Sequence, residues 1–519
     1  MSSLTTEFVN TPFLDYSDPS IKQQQQSAID AVRAKLGRTY PLIIGGAAVT
    51  SDQTFTSINP ARPDEVVGIF PKATTEQALA AIAAAETAFK TWQYVSPDRR
   101  AEYLLAAAQK LTERRMEFNA WLIFETGKSW VEADVEVAEG IDFLNFYARE
   151  MHRLAQPQPL TRLPGEENDL KYIPLGVGVV IPPWNFPLAI MGGMTTASIV
   201  AGNTVVLKPA STAATIAANF VNLLGEVGVP AGVINFLPGP GGTIGDALVA
   251  DARTRFIAFT GSRDVGLHIN QLAATPQPGQ IWIKRTVLEM GGKDAVVVDE
   301  TADLDAAAAG IVASAFGYQG QKCSAGSRAI IVSAVYDQIL PKIVERAKVL
   351  AIGDPDAPTT NIGPVIDANA FKKIREYIEI GRDEGQMELG GGDVDRQGYY
   401  IPPTIISGVA PTARIAQEEI FGPVLAVIKA QDFDDALAIA NGTEYGLTGS
   451  LYTKDRTRME RAAREFHVGN LYFNRKSTGA MVGAHPFGGF NMSGTDSKAG
   501  GRDYLLLFTQ AKVVTEKVS

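Results

Sequence analysis

The stretch that decides the fold is residues 172–208, YIPLGVGVVIPPWNFPLAIMGGMTTASIVAGNTVVLK. Between Lys171 and Lys208 the chain has 36 positions without a charged residue, more than the ~20 apolar residues of a membrane-spanning helix. Four prolines, two asparagines and five glycines interrupt this stretch. We therefore interpret it as a strand (177–181), an irregular loop (182–187), a helix of small residues (189–201) and a strand (204–208). Such a stretch is typical of the centre of a parallel sheet that helices cover on both faces.

Short β-branched runs and helical stretches also alternate on either side of this segment. The further strands predicted are 233–237, 256–260, 295–298 and 329–332, and the helices predicted are 20–36, 74–89, 100–126, 302–318 and 334–351. The run 504–514 is predicted as a strand arm that no helix covers. Alternation of this kind is typical of βαβ units and open parallel sheets. The sequence therefore predicts an α/β protein with two parallel-sheet domains and small appendages.

Composition and charge argue against several classes of protein. The 519 residues suffice for several domains, and 47 basic against 57 acidic residues give a net charge of −10. An acidic, evenly mixed chain is not typical of nucleic-acid binding or of a membrane surface protein with a polybasic patch. The first residues lack a targeting pattern, so we expect a cytoplasmic protein. A single cysteine excludes an intrachain disulfide and a cysteine-rich zinc site, and no metal site is predicted.

That cysteine, Cys323, lies among loop-forming residues in FGYQGQKCS (316–324). It is either a buried thiol that packs as a small hydrophobe or a nucleophile whose thiolate the neighbouring Lys322 stabilises. The histidines lie in no motif typical of a Cys–His hydrolase, so that class of enzyme is weakly supported. They are His152, His268, His467 and His485.

A carboxylate is the other candidate base. Glu289, in VLEMGGK (287–293), ends an apolar run and precedes two glycines, which predicts a strand tip with its backbone open to a ligand. The alternative is a solvated charge that pairs with Lys284 or Lys293.

A cofactor site is suggested by FTGSRDVG (259–266), in which a strand runs directly into a helix. Backbone N–H groups and Ser262 at such a helix start would hold a pyrophosphate. The GxGxxG fingerprint of dinucleotide-binding proteins is absent, because the glycines of 239–245 have the wrong spacing.

In combination these motifs resemble those of the aldehyde dehydrogenase superfamily, from about residue 40 to about residue 510. The matching elements, in order, are PWNFP (183–187), KP (208–209), FTGS (259–262) with Gly266, EMGGK (289–293), GQKC (320–323), EEIFGP (418–423) and PFGG (486–489). The resemblance implies two open parallel-sheet domains. It places a Rossmann-like cofactor domain at 40–150 and 172–287, a catalytic domain at 288–485, an N-terminal helical extension at 1–39, and an oligomerisation hairpin and arm at 151–171 and 490–519.

The resemblance also implies a reaction. Cys323 would attack an aldehyde carbon, and the Asn185 amide and the Cys323 backbone N–H would hold the resulting oxyanion. The thiohemiacetal would lose hydride to the cofactor and become a thioester, which water activated by Glu289 would hydrolyse.

The implied cofactor is NAD. Trp184 and Phe421 would lie near the nicotinamide, and Lys208 near the adenosine ribose. The full implied set is Ile181, Pro183, Trp184, Lys208, Ser211, Gly261, Ser262, Gly266, Glu419 and Phe421. Many NAD-preferring members carry glutamate at the position of Ser211, and serine does not repel a 2′-phosphate. We therefore expect NADP to be accepted alongside NAD.

Within the superfamily the chain is most similar to members that oxidise L-glutamate 5-semialdehyde, formed from 1-pyrroline-5-carboxylate, to L-glutamate in proline degradation. The pointers are the N-terminal extension, QKCS (321–324) and FHVGNLYFNRKSTG (466–479). The implied substrate contacts are Phe186, Lys322, Ser324, Gly479, Ala480 and Phe487.

Several alternatives stay open. Phe186 and Phe487 are either walls of the substrate site or ordinary core aromatics, and Lys322 either steers the substrate carboxylate or tunes the thiol. The substrate is alternatively another aldehyde, such as succinate semialdehyde or a betaine-type aldehyde. The chain is alternatively a catalytically silent structural member of the superfamily. As partners the resemblance implies a second copy of the chain, in a homodimer or larger homo-oligomer, and a functional link to proline dehydrogenase.

Overall fold

The computed structural model describes residues 2–518, and the decisive stretch lies at the centre of its first large sheet. The seven strands, in spatial order, are Arg285–Glu289, Thr254–Thr260, Val177–Ile181, Thr204–Leu207, Ile234–Phe236, Leu42–Ile44 and Ala47–Val49. The first five are parallel and the last two form an antiparallel edge. The strand order reverses between Val177–Ile181 and Thr254–Thr260, which makes this the switch point where ligands of such sheets bind.

The second large sheet is also parallel apart from one edge strand. In spatial order its strands are Gln386–Leu389, Thr404–Ser407, Val424–Ala430, Arg328–Val332, Ala295–Val298, Thr448–Tyr452 and Asn470–Phe473. Each sheet has its own buried apolar core. The predicted α/β fold with two parallel-sheet domains is confirmed.

Three smaller sheets complete the strands. They are Arg38–Thr39 with Arg62–Pro71 and Thr54–Asn59, then Tyr445–Gly446 with Phe490–Asn491, and then the ribbon of Glu166–Pro174 with Thr509–Lys517.

The helices pack on the faces of the two large sheets and around the chain termini. They are Ser2–Thr5, Pro19–Arg33, Thr75–Trp92, Pro97–Glu113, Arg115–Thr126, Trp130–Leu154, Ala189–Val200, Ala214–Glu226, Gly241–Ala250, Arg263–Ala274, Leu304–Phe316, Ser333–Lys348, Ala368–Glu384, Arg414–Gln417, Phe433–Asn441 and Arg456–Glu465. The helix expected from residue 74 is confirmed, because Thr74 and Gln77 form a capping box. The single helix predicted for 100–126 is wrong, since the chain breaks at Arg114 into two helices.

The C-terminal arm differs from the prediction in its first half. Tyr504–Phe508 is a 3₁₀ turn whose aromatic rings enter the first core, and the strand begins only at Thr509. Thr509–Lys517 then pairs antiparallel with Glu166–Pro174 over its whole length.

Three of the predicted domain limits do not follow the strand bounds and the core packing of the structure. Residue 287 falls inside strand Arg285–Glu289, which pairs with Thr254–Thr260, so the first sheet ends at Glu289. The predicted limit at 171 falls inside Glu166–Pro174. The chain also returns to the first core before residue 485, because Val482 packs there.

Across residues 2–518 the structure contains no helix that combines the length and the apolar character needed to cross a membrane.

Candidate active site

A cleft of about 650 Å³ is lined by segments that belong to both large-sheet domains. The loop after strand Val177–Ile181 supplies Pro183, Trp184 and Asn185 to its wall, and the turn after Thr254–Thr260 supplies Gly261 and Ser262. Both segments leave the carboxyl ends of strands that flank the switch point. The cleft therefore lies where a doubly wound sheet holds its ligand.

The turn that carries Cys323 into this cleft has an unusual backbone. Tyr318 and Gln319 have φ of 49° and 54°, and Gly320 follows with φ of 67°. Left-handed geometry costs of order 1–3 kcal/mol per non-glycine residue and persists only where surrounding contacts impose it. A side chain at Gly320 would lie 2.3 Å from the carbonyl oxygen of Gly422. Tight packing thus holds the nucleophile turn in a single shape.

The predicted oxyanion pair is brought together. Asn185 is 4% exposed, and its Nδ2 donates to the carbonyl oxygen of Gln321 at 3.0 Å, two residues before the cysteine. Across residues 2–518 the backbone N–H of Cys323 has no protein acceptor. Asn185 and Cys323 both line the cleft.

Glu289 and Cys323 also share a second, inner cavity of about 40 Å³. Glu289 Oε1 accepts hydrogen bonds from the Ser497 hydroxyl and backbone N–H. Its Oε2 is buried and has no hydrogen-bond partner within residues 2–518. Burial raises the pKa of Glu289 to about 7, and the Ser497 hydrogen bonds partly oppose that rise.

Ser497 is a contact that sequence reasoning missed. It lies in the loop segment GTDSKAGG (494–501), 208 positions from Glu289. A lone serine in a glycine-rich loop gives no signal by which sequence alone would find it.

Of the two roles left open for Lys322, the ion pair that it forms does not favour tuning of the thiol. Its Nζ lies 2.6 Å from Glu132 Oε2 in a mostly buried ion pair. The ammonium of Lys322 is therefore paired with that carboxylate and not with the thiol. Burial raises the pKa of the Cys323 thiol, and the charges of Asp294, Glu419 and Glu289 raise it further. The protein by itself therefore favours the neutral thiol.

Most of the predicted cofactor residues line the cleft, and three do not. Those that line it are Pro183, Trp184, Lys208, Gly261, Ser262, Glu419 and Phe421. Ile181, Ser211 and Gly266 lie outside the lining. Gly266 has a packing role instead, since a Cβ there would lie 2.5 Å from Met290 Sδ.

The glycines of EMGGK permit close approach to the cleft. Gly292 N–H donates to Glu419 Oε1 at 2.9 Å, and a Cβ on Gly291 would collide with that carboxylate. Across the cleft, the rings of Trp184 and Phe421 meet edge to face at 5.5 Å.

The two aromatic residues predicted to contact the substrate lie in different surroundings. Phe487 lines the inner cavity with Cys323, whereas the Phe186 ring packs on Lys128 and Tyr318. Ser324 is buried, Gly479 is left-handed with φ of 81°, and Ala480 is half-buried. Lining residues that sequence reasoning missed are Phe143, Tyr147, Met194, Tyr504, Asp367, Asn369 and Lys373.

Over residues 2–518 no group of three or more histidine, cysteine, aspartate or glutamate side chains is arranged to hold a metal ion.

Cys323 and the buried Glu289 line one cavity beside a cleft at the switch point of a parallel sheet, an arrangement suited to an enzyme that works through a covalent cysteine intermediate. The model of the aldehyde dehydrogenase family matches residues 48–514, and the chain belongs to that family.

Several named proteins are similar to nearly the whole of this chain. A 1-pyrroline-5-carboxylate dehydrogenase of Geobacillus kaustophilus (strain HTA426) is 57% identical over 97% of this chain and 98% of that protein. A crystal structure of 1-pyrroline-5-carboxylate dehydrogenase from Thermus with bound NAD has a TM-score of 0.97 at 49% identity, covering 99% of this chain and 100% of that one. Proline utilization A (PutA) from Bdellovibrio bacteriovorus has a TM-score of 0.97 at 45% identity, over 98% of this chain and 53% of its own.

Proposed function

We propose that the protein oxidises L-glutamate 5-semialdehyde to L-glutamate with NAD, through a thiohemiacetal and a thioester on Cys323. The observation that carries the chemistry is the position of Cys323, which borders both the large cleft and the inner cavity that contains Glu289. The substrate is supported by the relatives named 1-pyrroline-5-carboxylate dehydrogenase, which match nearly the whole chain.

Cys323, Asn185 and Glu289 have separate roles in the proposed reaction. The Cys323 thiol loses its proton to water in the cleft, and Sγ forms a bond to the aldehyde carbon as the C=O π bond breaks. The oxygen that becomes negative is held by Asn185 Nδ2 and the Cys323 N–H. After hydride has left that carbon, the acyl group remains on sulfur as a thioester. Glu289 Oε2 then accepts a proton from water as the water attacks, which releases the carboxylic acid and restores the thiol.

The cleft fits NAD on several grounds. Lys208 is 6% exposed, its Nζ donates to the carbonyl oxygen of Pro209 at 3.4 Å, and burial lowers the pKa of Lys208 to about 8. Ser262 starts helix Arg263–Ala274 without capping it through its side chain, so first-turn N–H groups are available to a pyrophosphate. When bound, NAD supplies the acceptor for hydride.

A semialdehyde panel tests the substrate assignment. We expect kcat/KM for L-glutamate 5-semialdehyde to exceed that for succinate semialdehyde by at least about 100-fold, about 2.7 kcal/mol, because only the former carries the α-ammonium group. NADH absorbance measures both rates. Equal values would contradict the assignment, and faster oxidation of succinate semialdehyde would favour the alternative substrate.

NADP is the second cofactor that we expect this enzyme to use. No acid stands at position 211, and the Lys208 ammonium would attract a 2′-phosphate, so the two cofactors should give comparable kcat/KM. A preference for NAD beyond about a thousandfold, roughly 4 kcal/mol, would contradict this. Position 211 adjoins Ala210, which lines the cleft, so the longer side chain of the matched variant Ser211→Glu should reach the cofactor. It should lower kcat/KM for NADP more than for NAD, because its carboxylate repels the 2′-phosphate.

The arm supports the proposal of a homo-oligomer. Among residues 2–518, strand Thr509–Lys517 pairs only with Glu166–Pro174, and Val513 is 60% exposed on it. An open strand edge with exposed apolar residues is a surface that native proteins cover. We expect at least a dimer at micromolar concentration by sedimentation equilibrium, and a monomeric mass would contradict this.

The setting proposed for the reaction is proline degradation, with proline dehydrogenase as the upstream enzyme. The likeness to a protein named proline utilization A supports this. The cytoplasmic location expected from the composition of the first residues stays a prediction.

A further inference from the structure

A buried ion pair lies beneath the candidate active site. Lys128 Nζ and Glu136 Oε2 are 2.6 Å apart, and neither side chain has exposed surface. Lys128 follows Gly127, whose left-handed backbone ends helix Arg115–Thr126, and Glu136 lies in helix Trp130–Leu154. Apolar residues of the same volume often stabilise a protein as well as a buried pair does. Stability alone therefore does not account for these two charges.

Glu136 holds one side of the site. Its Oε1 accepts from the backbone N–H of Leu188 at 2.8 Å and of Ala189 at 3.2 Å. These groups lie where the loop that carries Asn185 enters helix Ala189–Val200. The carboxylate thus fixes the end of the loop that presents the Asn185 amide.

Lys128 contacts both the loop that carries Asn185 and the turn that carries Cys323. Its Nζ lies 3.8 Å from the ring centroid of Phe186, the residue after Asn185, and 4.3 Å from that of Tyr318. Tyr318 begins the left-handed turn that leads to Cys323, and its hydroxyl donates to the carbonyl oxygen of Thr126 at 3.0 Å. An ammonium between two ring faces attracts both, so it ties the amide loop to the nucleophile turn.

We propose that Lys128 and Glu136 are positioning residues that set the spacing between the Asn185 amide and the Cys323 N–H, and so the geometry of the oxyanion site. This inference rests on the proposed function, because the spacing matters only if those two donors hold the oxyanion. Neither residue touches the cleft that we assign to the cofactor.

Two variants separate positioning from structural support. Lys128→Met should lower kcat by about 10- to 100-fold, since displacement of a catalytic group by about 1 Å costs up to about 100-fold. Lys128→Met/Glu136→Gln removes both charges yet keeps an oxygen for the two backbone N–H groups. It should recover the melting temperature lost by Lys128→Met while kcat stays at least about tenfold low.

The matched control is Arg115→Met. Arg115 lies 2.7 Å from Asp134, which is on the same helix as Glu136, and both side chains are almost fully buried. Unlike the Lys128–Glu136 pair, this pair contacts the N-terminal segment, through Pro12 and Leu14. We expect the control to lose melting temperature and to keep kcat within about threefold of wild type. The KM for NAD should stay within about twofold in all the variants that fold, because the cofactor cleft is not altered.

The outcomes are distinguishable. If the neutral double variant regains kcat together with melting temperature, the pair is only structural and the inference is wrong. If Lys128→Met does not fold, Glu136→Gln decides, and wild-type kcat in that variant would also overturn the inference. Absence of wild-type turnover of glutamate semialdehyde in the same assay would instead contradict the proposed function.

Discussion

Cys323→Ala is expected to abolish NADH formation, with kcat lowered by at least about 10⁴-fold, as for removal of a covalent nucleophile. Cys323 supplies the only sulfur nucleophile of the chain. Without a bond to sulfur, the aldehyde carbon keeps a trigonal geometry and its hydrogen does not acquire hydride character. Steady-state NADH absorbance measures the loss.

The control for this variant is binding of NAD, measured by fluorescence titration. The substitution removes one atom from the wall of a large cleft, so Kd for NAD should stay within about threefold of wild type. Retained turnover in a variant that binds NAD normally would require a different nucleophile and would overturn the mechanism.

Glu289→Gln is expected to divide the reaction at the thioester. The amide has the shape of the carboxylate and accepts no proton from water, so hydrolysis should slow by about 10²- to 10⁴-fold. Hydride transfer precedes that step, so stopped-flow absorbance should show a rapid burst of about one NADH per active site, followed by a stall. A slowed burst with an unchanged steady state would contradict the role assigned to Glu289.

The pH profile gives a second test of the same residue. The base acts when deprotonated, and burial raises the pKa of Glu289 to about 7, so kcat limited by hydrolysis should rise as pH increases through about 7 and level off above it. Ser497→Ala removes a hydrogen bond that favours the carboxylate and should move this rise to higher pH. If Ser497→Ala left the pH profile unchanged, the group that sets the rise of kcat would not be Glu289.

The core strands were predictable from sequence because their burial is visible in composition. Strand Val177–Ile181 and the strand at 295–298 have the predicted bounds, since short apolar runs rich in β-branched residues occur where both faces of a sheet are covered. Tyr504–Phe508 was predicted as strand and is a 3₁₀ turn, because a short apolar run fits several buried conformations.

Site residues that stand in a sequence motif were predictable, whereas contacts that only the folding of the chain creates were not. Cys323, Asn185 and Glu289 stand in quoted motifs, and the structure brings them to one cleft and its inner cavity. Lys322 is the neighbour of Cys323 in sequence, yet its ammonium reaches Glu132. The left-handed turn at Tyr318 and Gln319 has no sequence signature, since non-glycine residues adopt that geometry only under tertiary constraint.

The most direct test of the account is the mass of the acylated enzyme. Glu289→Gln protein is mixed with L-glutamate 5-semialdehyde and NAD, quenched in acid during the NADH burst, digested and mapped by mass spectrometry. We predict one glutamyl group, bound as a thioester, on the peptide that contains Cys323, in an amount equal to the NADH formed. A full burst of NADH with Cys323 unmodified would contradict the central claim that oxidation takes place on this sulfur.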